Sequence, residues 1–472
     1  VIVRRLLAAC FWGAVATASG AAFTGVVPAT PAPAPTGTVL YGGGSTLRPT
    51  APGERNDLFG FFGSIVRGTG VDFCRTSSGV AKSVFTQASS AALSCEPYMS
   101  GGFGAPRDVP DFASSAVPLD AADVAAFFAA QAAGVKRGEP VQIPYIASSV
   151  ALFFDNPDVR GHLRLSVGTL CKIADGEISD WSQIPLDPTN PSGPVYPKRT
   201  LHFVYRSDPA GTTFALSNFL SSTGPSAARH ACTRSGQTFA LSDVFATGVL
   251  PRPLPPSSIT VNFLAARGAA AALDCIMGVA ERCAAPGKTI LATGGPGAIG
   301  YVDAIDAFAP SLQPPYGIAL LYVVRSGVGQ DEDPIADLPG VATSIKSYEI
   351  DSVLGAFVPN GRPLRELVPL AATPKKPGCI AVVSPAAYAF PNVGYPIVSI
   401  TNLEFASAGN GVKAAALRTL ATLTNDGKNF VWKKIRTVDA DNIARGTRGL
   451  SVLPLPAGGK TGIPSVASCI GV

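Results

Sequence analysis

Three stretches of this sequence combine glycine with hydroxyl side chains where an apolar run gives way to a helical pattern. They are Gly42-Gly43-Gly44-Ser45-Thr46-Leu47, Thr76-Ser77-Ser78-Gly79, and Arg206-Ser207-Asp208-Pro209-Ala210-Gly211-Thr212-Thr213. The first amides of a helix have no intrahelical partner and carry partial positive charge. Glycine lets an anion approach the backbone, and serine or threonine adds a donor. One such turn is an ordinary helix start. Several converging on one point would hold a desolvated oxyanion. Arg206 adds a planar charged fork suited to bidentate contact with an oxyanion, and Asp208 is placed to hold its guanidinium. No second cation is evident beside these turns.

Other chemistries fit the sequence less well. Gly295-Pro296-Gly297-Ala298-Ile299-Gly300 has the GxGxxG spacing, but it precedes an apolar strand run instead of following one and opening a helix, which argues against a dinucleotide site. Asp331-Glu332-Asp333 lacks calcium-loop spacing and reads as a solvated loop. His162, His202 and His230 are scattered and offer no zinc-ligand pattern. There is no GxSxG elbow, no Walker A lysine and no evident Ser-His-Asp set. No catalytic residue, metal or cofactor is expected, and the chain does not read as an enzyme.

The elements that must position these turns are short. Strands are expected at Val39–Tyr41, Val141–Phe154, Leu201–Tyr205, Ile299–Val302 and Ile318–Val324, and helices at Ala121–Ala132 and Phe214–Leu220. Such alternation is the pattern of an α/β fold with open sheets. The 472 residues suffice for two domains, and a composition 47% hydrophobic and 15% charged excludes a disordered chain. A net charge of +5 without a dense Lys/Arg stripe argues against nucleic acid and favours a small anion as ligand.

Export is expected from the N-terminus. Arg4-Arg5, the apolar run Leu6–Val15 and the small residues Ala16-Thr17-Ala18 have the layout of a signal peptide over residues 1–22, followed by a Pro/Ala-rich tether to residue 38. The run is too short to span a bilayer. Cys10 falls in that segment, and the eight remaining cysteines lack CxxC spacing, the arithmetic of disulfides in an oxidising compartment. The expected location is periplasmic or secreted.

The order YGGGSTL (Tyr41–Leu47), RTSSGVAK (Arg75–Lys82), DFASSAVPL (Asp111–Leu119), VYRSDPAGTTFALSNFL (Val204–Leu220) and PGAIGYV (Pro296–Val302) resembles the periplasmic phosphate-binding proteins of ABC transporters, in particular the DING type. TLCKIADGEISDW (Thr169–Trp181) and YPIVSITNLEF (Tyr395–Phe405) extend the resemblance toward the C-terminus. It implies a type II periplasmic binding protein fold, with two α/β lobes, two hinge strands and a ligand cleft between the lobes. Lobe 1 would comprise residues 39–145 and 301–472 and lobe 2 residues 146–300, with crossings near Gln142–Ser149 and Ala298–Asp303. The implied function is a monomeric solute-binding protein that captures a tetrahedral oxyanion, inorganic phosphate first, by lobe closure, and either presents it to a membrane ABC permease or retains it as an extracellular scavenger. The alternatives are a DING-type phosphatase acting on phosphomonoesters at the same site, or a binder of sulfate or another oxyanion.

Carried over onto this chain, Thr46 and the Leu47 amide match the first phosphate-contacting turn and Ser77, with Ser78 beside it, the second. Arg206, Gly211 and Thr212 match the third, where Ala210 would contribute its backbone amide, and Asp208 matches the carboxylate that steadies the arginine. Two positions depart. Ala210 stands where the family has a serine, and Ala116 where it has the aspartate that accepts the proton of hydrogen phosphate. The second departure predicts weaker discrimination against sulfate, unless Ser114, Ser115 or a carboxylate from elsewhere supplies an acceptor. Cys171–Cys232 matches a family disulfide; Cys379–Cys469 is expected beside it, leaving Cys74–Cys95 and Cys275–Cys283.

Overall fold

The computed structural model describes residues 37–45, 68–89, 95, 109–134, 136–222, 232–234, 237–250, 262–279, 282–284, 291–292, 294–345, 348–355, 366–371, 374–375, 377–425, 450–453 and 466–471. The expected signal peptide, most of the tether, Thr46 and Leu47 lie outside these residues.

The described residues form a twelve-stranded mixed sheet. In chain order its strands are β1 (Thr38–Gly44), β2 (Thr69–Arg75), β3 (Phe112–Ser115), β4 (Pro140–Asp155), β5 (His202–Arg206), β6 (Phe263–Ala266), β7 (Cys283–Ala284), β8 (Leu291–Ala292), β9 (Ala298–Asp303), β10 (Tyr316–Ile318), β11 (Val398–Ala406) and β12 (Leu450–Val452). They lie in the order β8-β7-β6-β5-β9-β4-β11-β3-β1-β2, and β10 and β12 also pair with β4. Parallel pairs (β1 with β2 and β3, β5 with β6 and β9) flank an antiparallel centre.

The apolar run Val141–Phe154 forms the axis of this sheet. A strand covered on both faces needs no polar alternation, and β4 is buried along its whole length. Its first half, to Ser149, pairs with β11; its second half, Val150–Phe154, pairs with β9. Pro144 cannot donate to a ladder, so in a central strand it belongs at an irregularity. The register shifts there: Asn402 faces Pro144 and Thr401 faces Ile146, leaving Tyr145 as the extra residue of a bulge. The run expected at Ile318–Val324 is divided. Tyr316–Ile318 joins the second half of β4, while Leu320–Arg325 pairs with Arg164–Ser166 in a separate small sheet. Residues on both sides of the boundary expected at 300 thus pack together.

Helices α1 (Ser78–Thr86), α2 (Ala121–Ala132), α3 (Val167–Asp175), α4 (Gly211–Leu220), α5 (Ala269–Met277) and α6 (Ala304–Ser311) follow strands or their turns. The largest core cluster gathers around the fully buried Trp181, whose indole N–H donates to the Gly297 carbonyl at 2.9 Å. Four disulfides are present, Cys74–Cys95, Cys171–Cys232, Cys275–Cys283 and Cys379–Cys469, the pairing expected from the sequence.

Candidate oxyanion site

Several strands end at one place. Ser45 follows β1, Arg75 ends β2, Ala116 follows β3, Arg206 ends β5, Ala269 opens α5 after β6, and Asp303 ends β9. Together with Thr76, Ser77, Ser78, Gly211, Thr212 and Ser399 they line one small cavity, with about 20 Å³ open to the centre of a water molecule. Carboxyl ends of strands in an open α/β sheet are where ligands bind, because the following helices turn their N-termini there.

Helices α1 and α4 are unlike their neighbours at that end. Asp120 caps α2 reciprocally with Asp123, and Ser166 caps α3 by accepting from the Thr169 amide. By contrast, Ser77 and Ala210, the N-caps of α1 and α4, make no side-chain cap. The Ser77 hydroxyl is instead buried without a hydrogen-bond partner among the described residues, as are the hydroxyls of Thr76 and Thr212. An unpaired buried hydroxyl costs about 1–3 kcal/mol. Three of them on one cavity wall suit a ligand rich in oxygen.

Close backbone approach brings the two helix starts together. A Cβ on Gly211 would lie 2.5 Å from the Ala116 Cβ and 2.6 Å from the Ser78 Oγ. The Gly79 amide donates to the Pro209 carbonyl at 3.2 Å, and a Cβ there would meet the Pro209 Cβ at 2.5 Å. Ser78 Oγ accepts from the Ala116 amide at 3.1 Å, tying the turn after β3 to α1. The expected helix start at Phe214 moves back to Gly211, so Gly211 and Thr212 belong to the first turn of α4 and its donor end.

Arg206 is held as expected: Asp208 accepts from both its Nε and its Nη2. Burial pushes the Asp208 carboxyl up, but the Arg206 guanidinium and the Gly268 amide outweigh it and hold the group below its ordinary value. The Tyr301 hydroxyl links this turn to the sheet, accepting from the Arg206 amide at 3.1 Å and sharing a hydrogen bond with Thr213 at 2.8 Å.

Two expected residues are not among those lining the cavity. The Ser115 hydroxyl turns back on its own turn, donating to the Val117 carbonyl and accepting from the Val117 amide. The Ala210 amide donates to the Asp243 carbonyl at 2.8 Å. Ser114 is occupied as well, with its hydroxyl on the Ser45 carbonyl and the Tyr145 hydroxyl. Conversely, Arg75, Asp303 and Ser399 line the cavity without having been anticipated. Arg75 was within reach of the sequence, since it ends a strand before a Ser-rich helix start just as Arg206 does. It is a second cation at the site, bridged to Asp306 at 2.8 Å.

The family model for the PBP superfamily domain matches residues 69–319, more than half of the chain. The chain belongs to the PBP superfamily. Among curated relatives of this PBP-superfamily chain, a phosphate-binding protein from an unknown prokaryotic organism is 28% identical over 75% of this chain and 78% of its own length. Alkaline phosphatase L of Pseudomonas aeruginosa (strain UCBPP-PA14) is 27% identical over 61% of this chain, which spans 60% of that relative. Among solved structures, a high affinity periplasmic phosphate-binding protein (PfluDING) shares the fold, with a TM-score of 0.56 and 20% identity over 92% of this chain and 99% of that one.

Proposed function

We propose that this PBP-superfamily chain is an exported solute-binding protein that captures inorganic phosphate in the cavity at the ends of β2, β5 and β9. The observation that carries this reading is the set of buried, partnerless hydroxyls of Thr76, Ser77 and Thr212 beside Arg206 and two helix N-termini without side-chain caps. Neutral donors and a fixed guanidinium are what a desolvated oxyanion requires. The curated relative named for phosphate binding supports phosphate as the anion. The residues carried over as contacts are Thr46, Leu47, Ser77, Ser78, Arg206, Gly211 and Thr212, with Asp208 orienting the arginine.

In this reading the two wings of the sheet are the lobes. One carries β1, β2, β3 and β11 and the other β5, β6 and β9, with β4 running through both and its change of partner after Ser149 as the bending point. Phosphate selects the closed arrangement of the wings, and a monomer presents it to a membrane ABC permease without chemical turnover. The four disulfides support a periplasmic or secreted location.

Calorimetric titration of the ligand-stripped full chain with phosphate, arsenate and sulfate tests the proposal. Saturable binding of one phosphate per chain is expected, and absence of binding by all three anions would overturn it. Hydrolysis of a phosphomonoester by the pure protein, with or without divalent metals, would overturn the non-enzymatic part.

A further inference from the structure

We propose that Asp243 docks the two wings of the sheet onto each other, seating the N-terminus of α1 so that the closed arrangement is populated before any anion arrives. This inference rests on the two-wing reading of the phosphate site above. Helix α1 follows β2 in the first wing, whereas Asp243 belongs to a loop of the second. That loop is fixed to α4: the Ser217 hydroxyl donates to the Ser242 carbonyl at 2.7 Å and accepts from the Ser242 amide at 3.0 Å. The Asp243 carbonyl accepts from the Ala210 amide at 2.8 Å, which ties the loop to the turn that carries Arg206 and Gly211.

The wings meet at Gly79, the second residue of α1. Its amide has no acceptor within the helix, and it donates to the Pro209 carbonyl of the opposite wing at 3.2 Å. Asp243 Oδ2 lies 2.7 Å from the position that a Cβ on Gly79 would take, which puts a carboxylate at the positive end of α1. Lys82, about one turn further along α1, adds a buried cation whose ammonium is bridged to Asp123 at 2.7 Å. Burial raises the Asp243 carboxyl above its ordinary value; Lys82 pulls it down across the wing boundary, while Asp123 and Asp208 push it up. Asp243 is not among the described residues that line the anion cavity, so it acts on the ligand through the position of the wings.

The direction of the effect separates this role from mere proximity. Removing a carboxylate near an anion site relieves repulsion and tightens binding. Removing a docking carboxylate opens the wings and loosens binding, because apparent affinity falls with the closed fraction.

The test compares the full chain with Asp243→Asn, Asp243→Lys and Gly79→Ala, each checked for an intact fold by thermal melting. Phosphate affinity is expected to fall about three- to tenfold in Asp243→Asn. It should fall further in Asp243→Lys, which sets a cation against the positive end of α1. Gly79→Ala is expected to weaken phosphate binding too, although alanine favours a helix, because the methyl group would lie 2.5 Å from the Pro209 Cβ and lift α1 away. Hydrogen exchange at the Gly79 amide is the readout without phosphate, expected to be about threefold or more faster in Asp243→Lys than in wild type. The inference is overturned by unchanged or tighter phosphate binding in either folded Asp243 variant, or by a Gly79 amide that exchanges equally fast in wild type and Asp243→Lys. A wild type that binds no phosphate would defeat the phosphate reading instead, and the exchange comparison would still decide this inference.

Discussion

The Arg206 guanidinium meets the Asp208 carboxylate through two parallel hydrogen bonds, Nε to Oδ1 at 2.8 Å and Nη2 to Oδ2 at 2.5 Å. Both side chains are buried, at 5% and 3% exposure. The pair is therefore a structural unit as well as the proposed binding one. Arg206→Ala removes a cation from the cavity and strands a buried carboxylate, which costs about 3–5 kcal/mol of stability. Loss of phosphate binding together with a lowered urea midpoint is the expected outcome. Calorimetry and urea denaturation check the two effects separately.

The partnerless hydroxyls predict the opposite combination. Ser77→Ala and Thr212→Val delete groups with no hydrogen-bond partner among the described residues. Each variant should unfold at or slightly above the wild-type temperature, while phosphate affinity falls about tenfold through a lost bond of roughly 1–1.5 kcal/mol. A variant that lost stability without losing affinity would show that the hydroxyl faces protein, not ligand.

Gly211→Ala tests the packing of the two helix starts. The added methyl group would lie 2.5 Å from the Ala116 Cβ and 2.6 Å from the Ser78 Oγ. Forcing α1 and α4 apart should cost about 1–3 kcal/mol and weaken phosphate binding by more than either hydroxyl deletion. Thermal melting with and without phosphate measures both.

Glu404, on β11, gives stability a dependence on pH. It is fully buried, and neither carboxylate oxygen has a hydrogen-bond partner among the described residues. Burial raises its carboxyl well above the ordinary value of 4.5; Lys82 pulls it down and Asp123 pushes it up. A carboxyl that titrates higher in the folded than in the unfolded chain binds more protons when folded, so its contribution lowers stability as pH rises from that ordinary value toward the folded one. Glu404→Gln should match wild type at about pH 4 and exceed it at about pH 8. Urea titrations at the two pH values read this directly.

The Cys379–Cys469 bridge spans a sequence separation of 90 residues and joins the core cluster around β1, β3 and β11. Its replacement by serines should cost about 2–5 kcal/mol. Reduction of the wild type should lower the melting temperature in the same direction.

Much of this molecule was readable residue by residue. Helix Ala121–Ala132 lies where its pattern begins after Asp120, and the unbroken apolar run Val141–Phe154 is a central strand. These features are set by near neighbours: a cap three residues from the amide it serves, or a strand whose two covered faces leave no polar alternation. The turn at Arg206 was legible for the same reason, because Asp208 lies two residues from the arginine it holds.

Other features depended on which strands became neighbours. Ser115 had the right chemistry for the site, yet its hydroxyl is satisfied by Val117 within its own turn. Asp303 and Ser399 carry no local sign of a binding role, and they reach the cavity because β9 and β11 pair with neighbouring positions of β4, Asp303 opposite Val150 and Ser399 opposite Ser148. Spacing along the chain sets the backbone conformation and the donors each turn can offer, since those interactions span a few residues. The meeting of Ser45, Arg75, Arg206, Asp303 and Ser399 on one cavity is set by strand order, because hydrogen bonding across a sheet joins residues that the sequence keeps far apart.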